Sequence, residues 1–290
     1  RLVGSEMCIR DRVDIEDNND NVNSNGYHLG FVETGEWTKY SVKINSSGVY
    51  RVKIRHASEQ NGGKLYLSLN DQNISSVYTT NSSGSWFSFI TSTIDDVILD
   101  QGNHSLKLHF NDDIPLNISS ILFEKIGEIS SAPFKSVNGK TGSDEKSIEV
   151  FVNQEILDSS INGSLDKFSV TINGQEKSIN SVTLDSSKPK TLFLNLSDNL
   201  LYTDEIKVSY SGDLIKSNNN KVLNSFTNLQ VINDLDPRFV IPGKVEVEDY
   251  LRMFGLGTED TNDEGGGSNI GYTDTGDYAD YKIFTSTSSK

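Results

Sequence analysis

Cysteine is almost missing from these 290 residues: the single one is Cys8. It falls in the opening stretch RLVGSEMCIRDR, which continues into no pattern and resembles a translated sequencing adapter. Residues 1–12 are therefore set aside before any fold reasoning. What remains has no thiol, which excludes disulfide staples and cysteine nucleophiles. The natural start is expected upstream, so the lack of a secretory leader excludes nothing. Basic residues are also short, 26 Lys and Arg against 41 Asp and Glu, for a formal net charge of −15. Such a surface repels a phosphate backbone, so no nucleic-acid partner is expected. No apolar run approaches the roughly 18 residues that span a bilayer, so no membrane partner is expected either. Histidine is scarce, and His28, His56, His104 and His109 show no metal-ligand spacing.

Helical periodicity is missing too. In its place stand short alternating runs. Tyr40, Val42 and Ile44 point one way while Lys39, Ser41 and Lys43 point the other. Tyr50, Val52 and Ile54 alternate with Arg51, Lys53 and Arg55, and Leu65, Leu67 and Leu69 follow, then Leu106, Leu108 and Phe110. Several short strands at regular spacing predict an all-β sandwich. Ser130 to Pro133 is a boundary signal. Beyond it, Ser147–Val152, Phe168–Ile172, Thr191–Leu196 and Glu205–Tyr210 read as further strands, with hairpin or turn signals at Asn173-Gly174 and Ser211-Gly212. The segment DLDPRFVIPG, with Pro237 and Pro242, reads as a stiff linker.

One supersecondary unit occurs twice. IGYTDTGDYADYKI, near the end, lies without a gap over LGFVETGEWTKYSV, near the start. Each copy follows an acidic loop: GTEDTNDEGGGSN in the later one and VDIEDNNDNVNSNGYH in the earlier one. Repetition of this kind sets the organisation of a chain.

These residues, together with VEVEDY at 245–250, resemble the family 6 carbohydrate-binding modules, jelly-roll domains appended to secreted polysaccharide-degrading enzymes. The match is specific in the later copy and looser in the earlier one, which continues to Ile126. Residues 130–234 resemble the bacterial immunoglobulin-like spacer domains of secreted glycosidases and adhesins. The resemblance implies an all-β chain of jelly-roll, immunoglobulin-like sandwich and partial second jelly roll. Residues 13–127 would form a carbohydrate-binding module without its first strand. The spacer at 130–234 and the linker at 235–243 would follow, and 244–290 would be the N-terminal part of a second module. Lacking its opening strand, the first module should present an unpaired edge. The partial module should be poorly ordered, unless Val245–Tyr250 fills that edge.

A sugar presents C–H faces and hydroxyls, so its site needs an aromatic platform and fixed polar groups. By the resemblance, the first aromatic maps to Phe31, the second to Trp86, the asparagine to Asn117 and the glutamate to Glu16. In the partial module Glu259 and Tyr272 match. Phe31 departs from the usual tyrosine and keeps the ring without the hydroxyl, and NNDNVNSN replaces the glycine run. A tryptophan in a sandwich is more often core, but Trp86 sits after Asn81, Ser82, Ser83, Gly84 and Ser85, which reads as a loop. Trp37, and Tyr278 in its copy, suit the family's second cleft on the concave sheet. Glu246 and Glu248 share a strand face, and the resemblance implies a structural calcium there; solvated charges on an edge strand are the plainer alternative.

Three signals fail. Asp260, Asn262 and Glu264 mimic an EF-hand start, but the twelfth position is Gly271. DNNDN at 17–21 matches a cadherin linker with no cadherin repeat around it. Gly265-Gly266-Gly267 opens no helix, so it is no phosphate cradle. No catalytic motif appears. The reading is a monomeric, non-catalytic fragment that binds polysaccharide and targets an attached secreted glycoside hydrolase, in a bacterial protein that is secreted or held at the cell surface. The alternative is a cell-surface adhesin or structural β-sandwich protein with no enzyme attached.

Overall fold

The computed structural model describes residues 13–18, 20, 22, 26–32, 34–111, 114–235, 238–241, 243–250, 252–262 and 267–285. Residues 1–12 and 286–290 lie outside them. Among the described residues every regular element is a strand or a short 3-10 turn.

The first domain comprises β1 (Asp14–Asp17), β2 (Tyr27–Gly30), β3 (Trp37–Ile44), β4 (Gly48–Ser58), β5 (Lys64–Leu69), β6 (Gln72–Asn73), β7 (Tyr78–Thr79), β8 (Ser85–Leu99), β9 (Gly102–Phe110) and β10 (Asn117–Gly127). One sheet runs β1-β2-β10-β4-β8, and the other β3-β9-β5-β6 with β7 on β5. The pairings are antiparallel, and the sheets face each other as a jelly-roll sandwich. Val52 and Ile54 from one face meet Leu65, Leu67, Leu108 and Phe110 from the other, each at most 2% exposed. That burial fixes the register, since a one-residue slip would turn Lys53 or Lys107 inward. β3 pairs only with β9, so its outer edge is open among the described residues. Val42, Ile44, Leu106 and Phe123 line an apolar cleft of about 420 Å³ on that side.

The second domain has its own core. Its strands are β11 (Ser136–Thr141), β12 (Ser147–Val152), β13 (Phe168–Ile172), β14 (Gln175–Lys177), β15 (Ile179–Leu184), β16 (Thr191–Leu196), β17 (Ile206–Tyr210) and β18 (Phe226–Ile232). They follow the order β14-β13-β17-β18-β11-β12-β16-β15, antiparallel except for β11 with β18. Ile148 and Val150 of β12, Val170 of β13, Leu192 and Leu194 of β16 and Val208 of β17 close over one another. Asn173 (φ 51°) and Gly174 (φ 77°) make the two-residue turn between Ile172 and Gln175, as the Asn-Gly pair requires.

The two domains touch. Asn73 Nδ2 donates to Asn138 Oδ1 (3.0 Å), whose own Nδ2 donates to the Ser75 carbonyl (2.9 Å), both buried. Lys135 pairs with Asp96 at 2.9 Å, and Lys190 with Asp100 at 3.1 Å. Val49, Ile98 and Ala132 form a small apolar seam.

The last part differs from the sequence expectation. The stretch expected as linker contains a strand, β19 (Arg238–Ile241), parallel to β24 (Lys282–Thr285). Between them β20 (Arg252–Phe254) pairs with β23 (Tyr278–Asp280), and β21 (Gly257–Asp260) with β22 (Ser268–Gly271). Val245–Tyr250, expected as an opening strand, is a turn in which the Asp249 amide donates to the Glu246 carbonyl (3.3 Å). A strand exists only by pairing, and no described strand lies alongside this one. The remaining pieces are two-stranded ribbons, which are marginal in water. Their amides are expected to exchange orders of magnitude faster than those of β12 and β16. Hydrogen exchange on the whole chain checks this, and protection equal to the core would overturn it.

Candidate functional site

The loop end of the first sandwich gathers residues far apart in sequence. On the β1–β2 hairpin Glu16 stands opposite His28, and the His28 ring nitrogen Nε2 lies 3.1 Å from Glu16 Oε2. His28 is 2% exposed and packs edge-on to Phe87 (6.1 Å) and Phe89 (5.7 Å), so the hairpin glutamate is braced from below. Gly30 ends β2 where a Cβ would lie 2.6 Å from Glu16 Oε2 and 3.1 Å from Asn117 Oδ1. A side chain at this position would push the Glu16 carboxylate aside.

Phe31 follows at φ 53°, with 63% of its surface exposed. A bulky side chain in the left-handed region is costly and marks a site where the surroundings hold it. The ring projects into solvent beside Val32, which is buried. Trp86 enters from the start of β8, and Asn117 from the start of β10; Asn117 Nδ2 donates to the Trp86 carbonyl at 2.9 Å. Glu16, Phe31, Trp86 and Asn117 thus line one cleft of about 670 Å³. All four sequence-predicted residues of this module meet there. The cleft offers exposed ring faces, one carboxylate and one amide.

Three details differ from the sequence reading. Trp86 lies on a strand, not in a loop, because β8 already pairs at Ser85 with Ser58 of β4. Phe87, 56% exposed, also lines the cleft, with Thr34 and Pro115. Period-two alternation puts Phe87 on the face opposite Trp86, so the sequence hid it; the cleft sits at the strand's start and reaches both. The third is His28, a histidine without metal spacing: it is a packed ring, and its contact with Glu16 is a bracing role that the sequence does not show.

The later copy rebuilds half of this arrangement. Glu259 pairs with Asn269 as Glu16 does with His28, and a Cβ on Gly271 would lie 3.0 Å from Glu259 Oε2. Tyr272 has φ 55° and is 73% exposed. Its hydroxyl is hydrogen-bonded to Glu259, which pushes the phenol's pKa above its usual value. Counterparts of Trp86 and Asn117 do not occur among the described residues of this copy.

The second-cleft candidates are brought together with neither site. Trp37 is half-buried, and Lys107 Nζ sits 4.5 Å from its ring centre, held by Asp71 at 2.6 Å. Tyr278 stacks on Phe254 at 6.0 Å. Each therefore has a partner on its ring. Glu246 and Glu248 lie in the turn described above, where strand alternation no longer gives them a shared face. Burial, then the charges of Glu248 and Glu246, raise the Asp249 carboxyl above its usual range. Among the described residues no group of three His, Cys, Asp or Glu side chains is placed to hold a metal.

A jelly-roll sandwich whose loop end carries exposed aromatic rings beside a carboxylate and an amide has the build of a binding module. Residues 5–125 match the family model of the carbohydrate binding module (family 6), a non-catalytic carbohydrate-binding family, as the resemblance on Glu16, Phe31, Trp86 and Asn117 implies. The match takes in residues 5–12, inside the stretch set aside above. No curated relative matches the chain. Similar solved structures include module CBM6cm-2 of lichenase 5A from Cellvibrio mixtus, in complex with cellotriose. It is 24% identical, with 42% of this chain and 91% of that one covered and a TM-score of 0.37. A second is the C-terminal CBM6 of LamC, a marine laminarinase of Zobellia galactanivorans, at 23% identity, 41% and 91% coverage and TM-score 0.36. A third is a family 6 module from Clostridium cellulolyticum in complex with xylose, at 24% identity, 39% and 87% coverage and TM-score 0.35.

Proposed function

We propose that the first domain binds a polysaccharide chain in the Phe31–Trp86 cleft and so holds an attached, secreted glycoside hydrolase on its substrate. The observation that carries this is the convergence of Glu16, Phe31, Trp86 and Asn117 in one open cleft, with Phe31 held exposed in a strained backbone conformation. The rings supply stacking, and Glu16 and Asn117 supply acceptor and donor for sugar hydroxyls. The second domain acts as an immunoglobulin-like spacer, which its separate core supports. The Glu259–Tyr272 half-site would belong to a second module. Two tethered weak sites gain through effective concentration. A structural calcium would be held by Glu246 and Glu248 only if their segment pairs as a strand; the turn seen here does not fit it, and no step depends on calcium. The test is a glycan array followed by affinity gels on its hits. Retention of at least one polysaccharide is expected, and none retained would overturn the reading.

Restoring the hydroxyl at Phe31 gives a finer check. Phe31→Tyr should leave the melting temperature unchanged, because the ring is exposed. It should strengthen binding by about 0.5–1.5 kcal/mol at most, the worth of one hydrogen bond. Unchanged binding in the affinity gel would remove the ring from contact with sugar, and a marked drop in melting temperature would show that the ring packs inside the fold.

A further inference from the structure

Away from the loop cleft, a concavity of about 380 Å³ opens between the two β-domains. Its wall on the second domain is the outer face of β12 and β16. Ile148, Val150 and Val152 point into that domain's core, as do Leu192, Leu194 and Leu196. Alternation then turns Phe151 and Thr191 outward. Outward residues on a lone sheet would be wet, yet Phe151 is 3% exposed and Thr191 only 1%. The turn Asn70–Gln72 of the first domain stands over them as the opposite wall.

Thr191 and Gln72 line this cleft, and one polar atom of each, Thr191 Oγ1 and Gln72 Nε2, is buried without a hydrogen-bond partner among the described residues. Buried polar groups are normally satisfied, so an orphaned pair at one concavity points to something that occupies it. The charges around them are already matched. Lys140 pairs with Asp234 at 2.8 Å, Lys188 with Glu149 at 3.1 Å and Lys107 with Asp71 at 2.6 Å. An ion would have to break one of these pairs. A neutral, hydroxyl-rich molecule would not, and it brings both donors and acceptors.

We infer that the junction between the two domains is a second saccharide-binding site, with sugar hydroxyls bonding to Thr191 Oγ1 and Gln72 Nε2. This rests on the reading that the chain binds polysaccharide. The site needs both domains, since neither wall alone excludes water. It also gives the second domain a role beyond spacing, because a glycan held at the junction would tie the domains together.

The experiment is an amide-shift titration of the whole 15N-labelled chain, in wild type and in Trp86→Ala, with cellohexaose, laminarihexaose and xylohexaose. With at least one of them, amides of 70–72 and 188–191 should shift saturably, and in Trp86→Ala they should still do so while those of the loop cleft fall silent. Thr191→Val keeps the shape and removes the hydroxyl; it should weaken the junction response by about two- to tenfold, the worth of one hydrogen bond. Gln72→Met serves as the second variant if Thr191→Val lowers the melting temperature. Loop-cleft shifts with a silent junction would overturn the second site and leave the proposed function standing. Silence at both places, in a chain that no polysaccharide gel retains, would overturn both. A junction response that neither variant changes would show ordered water, not sugar, at the orphaned atoms.

Discussion

Trp86→Ala should abolish the retention of the chain in any polysaccharide gel that slows the wild type. Large aromatic anchors carry most of the energy of a shallow site, and removing one costs about 2 kcal/mol or more, roughly thirtyfold in affinity. A module whose binding is weak to begin with has no such margin to lose. The fold should survive. Asn117 holds this position through the Trp86 carbonyl, not through the ring, and alanine keeps that carbonyl. Glu16 is braced by His28 independently. The melting temperature should therefore move by only a few degrees, about 1 kcal/mol for a half-buried side chain. Unchanged retardation in the gel would take Trp86 out of the site, whatever the melt shows.

How much of this was legible beforehand depends on what each feature needs. The first sandwich was readable because burial in a two-sheet domain is encoded residue by residue: Val52 and Ile54 alternate with Lys53 and Arg55, and the structure buries the first pair completely. The Asn173-Gly174 turn was readable because few other pairs accept two positive φ angles. The cleft was not readable that way. Glu16, Phe31, Trp86 and Asn117 are brought together by sheet order, and only the family resemblance linked them. Val245–Tyr250 shows the opposite failure. Its alternation is that of a strand, but a strand also needs a neighbour. The junction was hidden because Phe151 sits in SIEVFV on the face that alternation assigns to solvent. An aromatic there was the one available signal that another surface covers it.

Acid should destabilise the first domain well before its carboxylates are fully protonated. His109 lies on the outer face of the second sheet, stacked on Tyr66 at 4.4 Å, with Ser68 Oγ 2.8 Å from its Nε2. Burial, reinforced by Lys107 and Lys140 and opposed by Asp234 and Asp71, holds its pKa down to about 4. His56, fully buried against Ser92 Oγ at 2.8 Å, is lowered by burial as well. Both rings are neutral in the fold, whereas the unfolded chain protonates them as pH falls through the usual 6.5. Between those limits the unfolded state binds more protons. Stability is therefore fully present above pH 6.5 and is lost as pH falls toward 4. For His109 alone the gap is worth about 3 kcal/mol. Asp71, held low by its hydrogen bond to Lys107, adds to the loss at still lower pH. Both tryptophans of the chain, Trp37 and Trp86, are in this domain, and Trp37 pairs across the sheet with His109. Urea unfolding followed by tryptophan fluorescence thus reports this domain directly. The wild type should lose about 3 kcal/mol or more between pH 7 and pH 4. His109→Gln retains a polar partner for Ser68 but has no proton to bind, so its stability should fall less steeply over the same range. Equal slopes for the two proteins would show that His109 is not the group that titrates.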